Sequence, residues 1–317
     1  MKRLVTKLER SLPPFRTIYR PSACHPRSHA NQNNGKLFRR PGAQLLACWV
    51  SLVITALTAN AQPLSPEPPP SQGRVIPVNG MRMYVEIYGE GPPLLLVHAF
   101  TASGQTWRPF VGEFAKNFRV IVPDLRGHGW SDNPRKEFTH RLMAADLFAL
   151  LDALNVGPVR AIGVSNGALV LMHMAVQQRD RIEAMVLVGA APYLGEEART
   201  IMRNSTVDNM TAQDWTAARQ VHRLGDEQIR LLRATMNQFK DNTDDVNFTP
   251  PVLAKIAART LIMNGDHDPV FPLAMPVELR QSIPHSYLWI VPGGGHIPAF
   301  EQPALFLQNA REFFRSS

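Results

Sequence analysis

The sequence predicts an α/β fold with a mostly parallel central sheet flanked by helices and carrying a helical insertion. Three observations predict it. Short continuous apolar runs recur along residues 94–290, as a strand buried on both faces requires. Segments with helical spacing separate them. The alternation lapses once, over about 192–255, where helical patterns follow one another with no good strand. Strands alternating with helices mean parallel pairing through crossovers, and an insertion of that size is commonly functional.

The elements follow in chain order. "RVIPV" and "MRMYVEIYG" flank Asn79-Gly80, a strong two-residue turn signal, and predict a β-hairpin. "PLLLVHAF" is a buried strand, "TWRPFVGEFAKN" a helix, and "FRVIVPD" a strand ending at Asp124. "LRGHGWSDNP" is a glycine-rich loop. "HRLMAADLFALLDALNV" repeats apolar residues at three and four and predicts an amphipathic helix. "VRAIGVS", "NGALVLMHMAVQQ" and "IEAMVLVGA" read as strand, helix, strand. The insertion offers "EEARTIMRN", "AQDWTAARQVHRL" and "DEQIRLLRATMNQF" as helices. "RTLIMNGD", "LAMPVELRQSI", "SYLWIVPGG" and "ALFLQNAREFF" then resume the alternation.

The net charge of +8 is not a nucleic-acid signal, because of where it sits. Residues 1–61 hold ten Lys/Arg against one acid, while the remaining 24 bases meet 25 acids. The folded part is near neutral, so no nucleic-acid partner is expected. Residues 43–61 form the longest apolar run, follow Lys36, Arg39 and Arg40, and end in Ala59-Asn60-Ala61, the small-x-small pattern of a cleavage site. They read as a secretory signal peptide cut after Ala61, which places the mature protein outside the cytoplasm, periplasmic or secreted. The alternative is an uncleaved signal anchor, since the run is just long enough to span a bilayer; otherwise no stable membrane partner is expected. The Arg-rich residues before the run fit either an over-called start, with a start near Leu37 leaving a leader of ordinary proportions, or a transit peptide. Residues 62–73 are proline-rich and read as an extended linker, so the folded domain spans 74–317. Both cysteines, Cys24 and Cys48, lie in the leader. Once it is removed, cysteine chemistry and Cys-based metal sites are excluded.

The chemistry centres on "GVSNG" at 163–167. Gly163 and Gly167 flank Ser165 where a strand hands over to a helix, a turn that lifts a hydroxyl above the sheet. The following helix directs its unpaired N–H groups at the same point. A serine needs a general base and a group to orient that base. In this architecture the chain order is Ser, acid, His. "GDHDPVFP" and "GGGHIPAFEQP" supply them after two later strands: Asp268, with Asp266 competing, and His296. His267 reads as a turn residue, and His98, His128 and His173 as satisfied histidines. No His/Asp/Glu cluster has clear metal spacing, so neither metal nor cofactor is expected.

The motifs "HAF" (98–100), "DLRGHGWSD" (124–132), "GVSNG" (163–167), "GDHDP" (265–269) and "GGGH" (293–296) together resemble the α/β-hydrolase fold family over residues 74–317. The resemblance implies Asp268 as the acid, from its spacing after Gly265, and an oxyanion hole made by the backbone N–H groups of Phe100 and Asn166. Ala99 departs from the family's glycine after His98. The insertion falls where the family carries a cap over the site. Its Met202, Met210, Trp215, Met236 and Phe239 are expected in the cap's own core rather than against substrate. A serine at the elbow argues against the dehalogenase and epoxide-hydrolase branches, which use a carboxylate. The expected activity is hydrolysis of a small carboxylic ester or lactone through an acyl-enzyme. Amide or C–C bond cleavage by the same triad, or a silent ligand-binding homologue, are the alternatives.

Overall fold

The alternating apolar runs assemble, in a computed structural model that describes residues 73–315, into one eight-stranded sheet. The expectations for the leader and for 62–72 lie outside the described residues. β1 (Arg74–Val78) and β2 (Met81–Tyr88) form the hairpin. Its turn places Asn79 at φ 45° and Gly80 at φ 74°, the two left-handed positions such a turn needs. β3 (Pro93–Val97), α1 (Arg108–Phe114), β4 (Arg119–Pro123), α2 (His140–Ala153), β5 (Val159–Val164), α3 (Asn166–Gln177) and β6 (Ile182–Val188) follow. The chain then makes α4 (Glu196–Asn204), α5 (Ala212–Val221), α6 (Asp226–Gln238) and α7 (Pro250–Leu253) before returning as β7 (Arg259–Gly265), α8 (Ala274–Ser282), β8 (Ser286–Val291), α9 (Pro298–Glu301) and α10 (Pro303–Arg315).

Strand order is β1-β2-β4-β3-β5-β6-β7-β8. The β1–β2 and β2–β4 pairs are antiparallel and the rest parallel. Successive residues of a strand face opposite sides. Leu94 and Leu96 therefore join one core with Phe110, Phe114 and Phe306, while Leu95 and Val97 join another with Met143, Leu147 and Leu171. Two apolar faces, each covered by helices, explain why these strands read as unbroken runs.

Two boundaries differ from the sequence reading. The first predicted helix opens as a 3-10 turn over Gly104–Trp107, and its α-helix starts at Arg108, with Pro109 accepted in the first turn. The short helix α9 lies in the loop expected after β8, and α7 is a further turn of helix near the end of the insertion; each starts on a proline. Among the described residues no helix is long and apolar enough to cross a membrane.

The loop after β4 is held by a network of buried hydrogen bonds. Arg126, 1% exposed, meets the fully buried Asp146 of α2 through two bonds, Nε–Oδ2 at 2.7 Å and Nη2–Oδ1 at 2.8 Å. Asp124 accepts from the Gly104 amide at 2.7 Å and from the Trp130 amide at 2.8 Å. Burial lifts its carboxyl to about 6, against the pull of those two amides. His98 donates from Nδ1 to Ala99 O and accepts the Leu125 amide at Nε2 (2.9 Å). His222, at the end of α5, accepts from the Gly129 amide and donates from Nε2 to Thr101 O, each at 3.2 Å. It ties the inserted helices to the loop after β3.

Burial pushes the His98 and His222 rings, and that of His173, down to about 4 from 6.5. Neutral in the fold, they take up protons in the unfolded chain as pH falls below about 6.5. The stability they support is complete above that value and is lost as pH falls toward 4. Asp124 works the other way between 3.8 and about 6 and offsets part of the loss. The thermal midpoint is expected to fall between about pH 7 and about pH 4.5. His222→Gln, which keeps a donor and an acceptor without a titration, should flatten that slope. Parallel slopes for the two proteins would clear His222 of any part in it.

Candidate active site

Ser165 directly follows β5 and directly precedes α3, with φ 52° and ψ −117°. A non-glycine residue there stores about 1–3 kcal/mol of strain. Its neighbours hold it in place: the Ser165 amide donates to Val188 O at 2.8 Å, and its carbonyl accepts from Ala168 N at 2.9 Å and Leu169 N at 3.1 Å. The flanking glycines are explained by space. A Cβ on Gly163 would stand 2.5 Å from Gly167 O, and one on Gly167 would stand 2.3 Å from Val97 O.

The loops after β7 and β8 bring two more groups to this sheet edge. Their backbones bind each other, His267 N donating to Gly294 O at 3.0 Å. His296 Nε2 lies 2.9 Å from Ser165 Oγ, and its Nδ1 lies 2.9 Å from Asp268 Oδ2. Asp268 Oδ1 accepts from the amides of Val270 at 2.7 Å and Phe271 at 3.0 Å. Burial would raise the Asp268 carboxyl, but the facing His296 ring and those two amides hold it below the ordinary value. A carboxylate on Nδ1–H leaves the Nε2 lone pair facing the serine hydroxyl. Asp266, the competing carboxylate, instead accepts from Gly293 N at 2.7 Å and pairs with the exposed His267.

The Phe100 and Asn166 amides find no acceptor among the described residues. Asn166 opens α3, where helix geometry leaves the N–H without a partner. Phe100 precedes Thr101, which sits at φ 60°, a left-handed conformation unusual for a β-branched residue. Ala99 is not among the positive-φ residues, so the departure from glycine brings no strain of that kind.

Both amides belong to residues walling a cavity of about 140 Å³ that also contains Ser165 and His296. The inserted segment supplies Ile201, Met202 and Met236 from α4 and α6, and Phe239 just after α6. Met202, Met236 and Phe239, expected in the cap's own core, are therefore brought to the cavity wall, and Met210 and Trp215 are not. The sequence reading missed His140, Asp245 and His222. His140 also lines the cavity and bonds to Asp245, 105 positions away, and no local pattern signals such a pairing. Among the described residues no group of three or more His, Cys, Asp or Glu side chains is arranged to hold a metal ion.

A sequence model of the alpha/beta hydrolase fold matches residues 92–214 and 192–303. The chain belongs to the alpha/beta hydrolase fold family. It is 27% identical over 295 residues to an uncharacterized protein of Mycobacterium tuberculosis, covering 82% of this chain and 86% of that one. A thermophilic esterase from Thermogutta terrifontis superimposes with a TM-score of 0.64 at 26% identity, covering 77% of this chain and 98% of the esterase. A meta-cleavage product hydrolase from Pseudomonas fluorescens gives a TM-score of 0.65 at 23% identity, over 77% and 98% of the two chains, and shares the fold.

Proposed function

We propose that this hydrolase cleaves neutral carboxylic esters or lactones through an acyl-enzyme on Ser165. The observation that carries the proposal is the continuous chain from Ser165 Oγ to His296 to Asp268, with 2.9 Å at each link, beside two unpartnered amides. Ser165 Oγ attacks the carbonyl carbon as its proton passes to His296 Nε2. The carbonyl oxygen gains negative charge and is met by the Phe100 and Asn166 amides. Each such donor is worth about 3–4 kcal/mol where it acts. The tetrahedral adduct collapses, the C–O bond to the alcohol breaks, and the alcohol leaves with the proton from His296. Water then attacks the acyl carbon, giving a proton to His296, which returns it to Ser165 as the acid departs. Asp268 keeps the imidazole in the required tautomer and stabilises its charged form.

The cavity wall supports a neutral substrate. Among its residues there is no Lys or Arg to meet a carboxylate, and most side chains are apolar. That favours neutral esters over substrates that carry a carboxylate. The test is hydrolysis of p-nitrophenyl esters from short to long acyl chain by protein beginning at Gln62, together with labelling by a fluorophosphonate probe. Turnover with label on Ser165 is the expected result. A folded protein that neither turns over any ester nor labels would be a silent binder.

We further propose that the protein is exported, its leader removed after Ala61, from the apolar run and the Ala59-Asn60-Ala61 pattern. N-terminal sequencing of the exported protein should begin at Gln62. Intact chain held in the membrane fraction would instead mean a signal anchor.

A further inference from the structure

A second imidazole enters the cavity, and the mechanism above does not use it. His140 opens α2, is 2% exposed, and packs its ring against Phe239 at 5.1 Å between centroids in the cavity wall. Asp245, from the segment between α6 and α7, grips it from behind. Asp245 Oδ2 accepts from the His140 main-chain amide at 2.6 Å and from ring Nδ1 at 2.7 Å, while Oδ1 accepts from the Arg141 amide at 3.2 Å. The carboxylate is itself fixed: its own amide donates to Asn242 Oδ1 at 3.0 Å, and its carbonyl accepts from His173 Nε2 at 2.6 Å. Burial would raise the Asp245 carboxyl, but the bond from the His140 ring and the two amides bring it down to about 2.

An ionised carboxylate on Nδ1 fixes the neutral ring's proton there and leaves the lone pair on Nε2. That nitrogen bonds to no described residue, yet it is not among the side-chain atoms sealed from access without a partner. It is an oriented acceptor on a residue that walls the cavity together with Leu169, Ile201, Met202 and Met236. The two backbone amides alone would fasten Asp245 to the start of α2, so docking does not require the ring bond. An acceptor in an apolar wall costs free energy unless a ligand supplies its donor.

We propose that His140 Nε2 accepts a hydrogen bond from a hydroxyl or N–H group of the substrate, remote from the scissile carbonyl, so that the preferred ester or lactone carries such a donor. This rests on the ester-hydrolase reading above. His140 is then a specificity residue, and Asp245 positions it.

The test compares hydroxylated esters with their methyl ethers, which keep the oxygen but cannot donate. On the acyl side these are p-nitrophenyl 3-hydroxybutyrate and 6-hydroxyhexanoate, and on the alcohol side 2-hydroxyethyl butyrate. The wild-type protein should favour at least one hydroxyl compound by roughly three- to tenfold in kcat/KM. His140→Phe, which keeps a ring against Phe239, and His140→Leu should bring that ratio close to one. A merely structural role would lower both members of a pair and leave the ratio unchanged. Equal rates for every pair in the wild-type protein, or a preference that survives both substitutions, overturns the proposal while the hydrolase reading stands. A preference for an acyl group ending in a carboxylate would also overturn it, making His140 a cationic contact. Failure to cleave any ester, p-nitrophenyl butyrate included, would instead remove the reading on which it rests.

Discussion

Ser165→Ala is expected to lower kcat for a good ester by roughly 10⁶-fold, and Asp268→Asn by roughly 10⁴-fold, with both proteins folded. The first removes the atom that bonds to the acyl group. The second leaves the shape of the site but replaces an acceptor-only group by an amide that can donate to Nδ1. The proton then moves to His296 Nε2, where the lone pair is needed, across the 2.9 Å contact with Ser165 Oγ. The double variant should be little worse than Ser165→Ala alone, because the three groups act as a unit. Residual rate above water would come from the Phe100 and Asn166 amides and from binding. Single-turnover and steady-state rates on one p-nitrophenyl ester decide it. If Asp268→Asn kept a rate within about tenfold of wild type, Asp268 would not be the orienting acid.

Arg126→Met is expected to cost about 3–5 kcal/mol of stability, enough to lower the thermal midpoint by roughly 10 °C. Asp146 is fully buried and its two oxygens receive Arg126 Nε, Arg126 Nη2 and Asn79 Nδ2, the last at 3.0 Å. Without the guanidinium the carboxylate loses its counter-charge where water cannot replace it. The pair also joins three distant parts of the chain: the β1–β2 turn through Asn79, the loop after β4, and α2. Replacing both partners, as in Arg126→Met with Asp146→Leu, should recover much of the loss, since an apolar pair carries no desolvation cost. Denaturant unfolding of wild type, single and double variants measures this. A single variant within about 1 kcal/mol of wild type would mean that the buried charge finds another partner.

Much of the architecture was legible because its signals are local. A strand covered on both faces must be apolar at every position, so Leu94, Leu95, Leu96 and Val97 announce β3 without reference to any other segment. Asn79-Gly80 announces its turn because few other residues accept φ 45° and 74° in succession. The inserted helices were legible in the same way: "EEARTIMRN" became α4 residue for residue. The helix after β3 was misread at its start, since the 3-10 turn depends on Ser103 capping Gln105 and on the Gly104 amide reaching Asp124, 20 positions ahead.

The site divides along the same line. Residue types, their order, and their places after strands single out Ser165, His296 and an acid that is Asp266 or Asp268, because parallel strands bring their C-terminal ends to one edge. The choice between Asp266 and Asp268 rested on resemblance alone until the loops were seen paired, one carboxylate facing the imidazole and the other the Gly293 amide. What the sequence by itself determined is the sheet, the elbow and the order of the three groups, since each is written in spacing and side-chain type. Only the tertiary structure decided which inserted residues wall the cavity, that His222 fastens the inserted segment to the loop after β3, and that Asp245 grips His140 in the cavity wall. The last two contacts join residues 121 and 105 positions apart. Their partners are set by how helices pack across the sheet edge, a property of the folded chain that no short window of residues encodes.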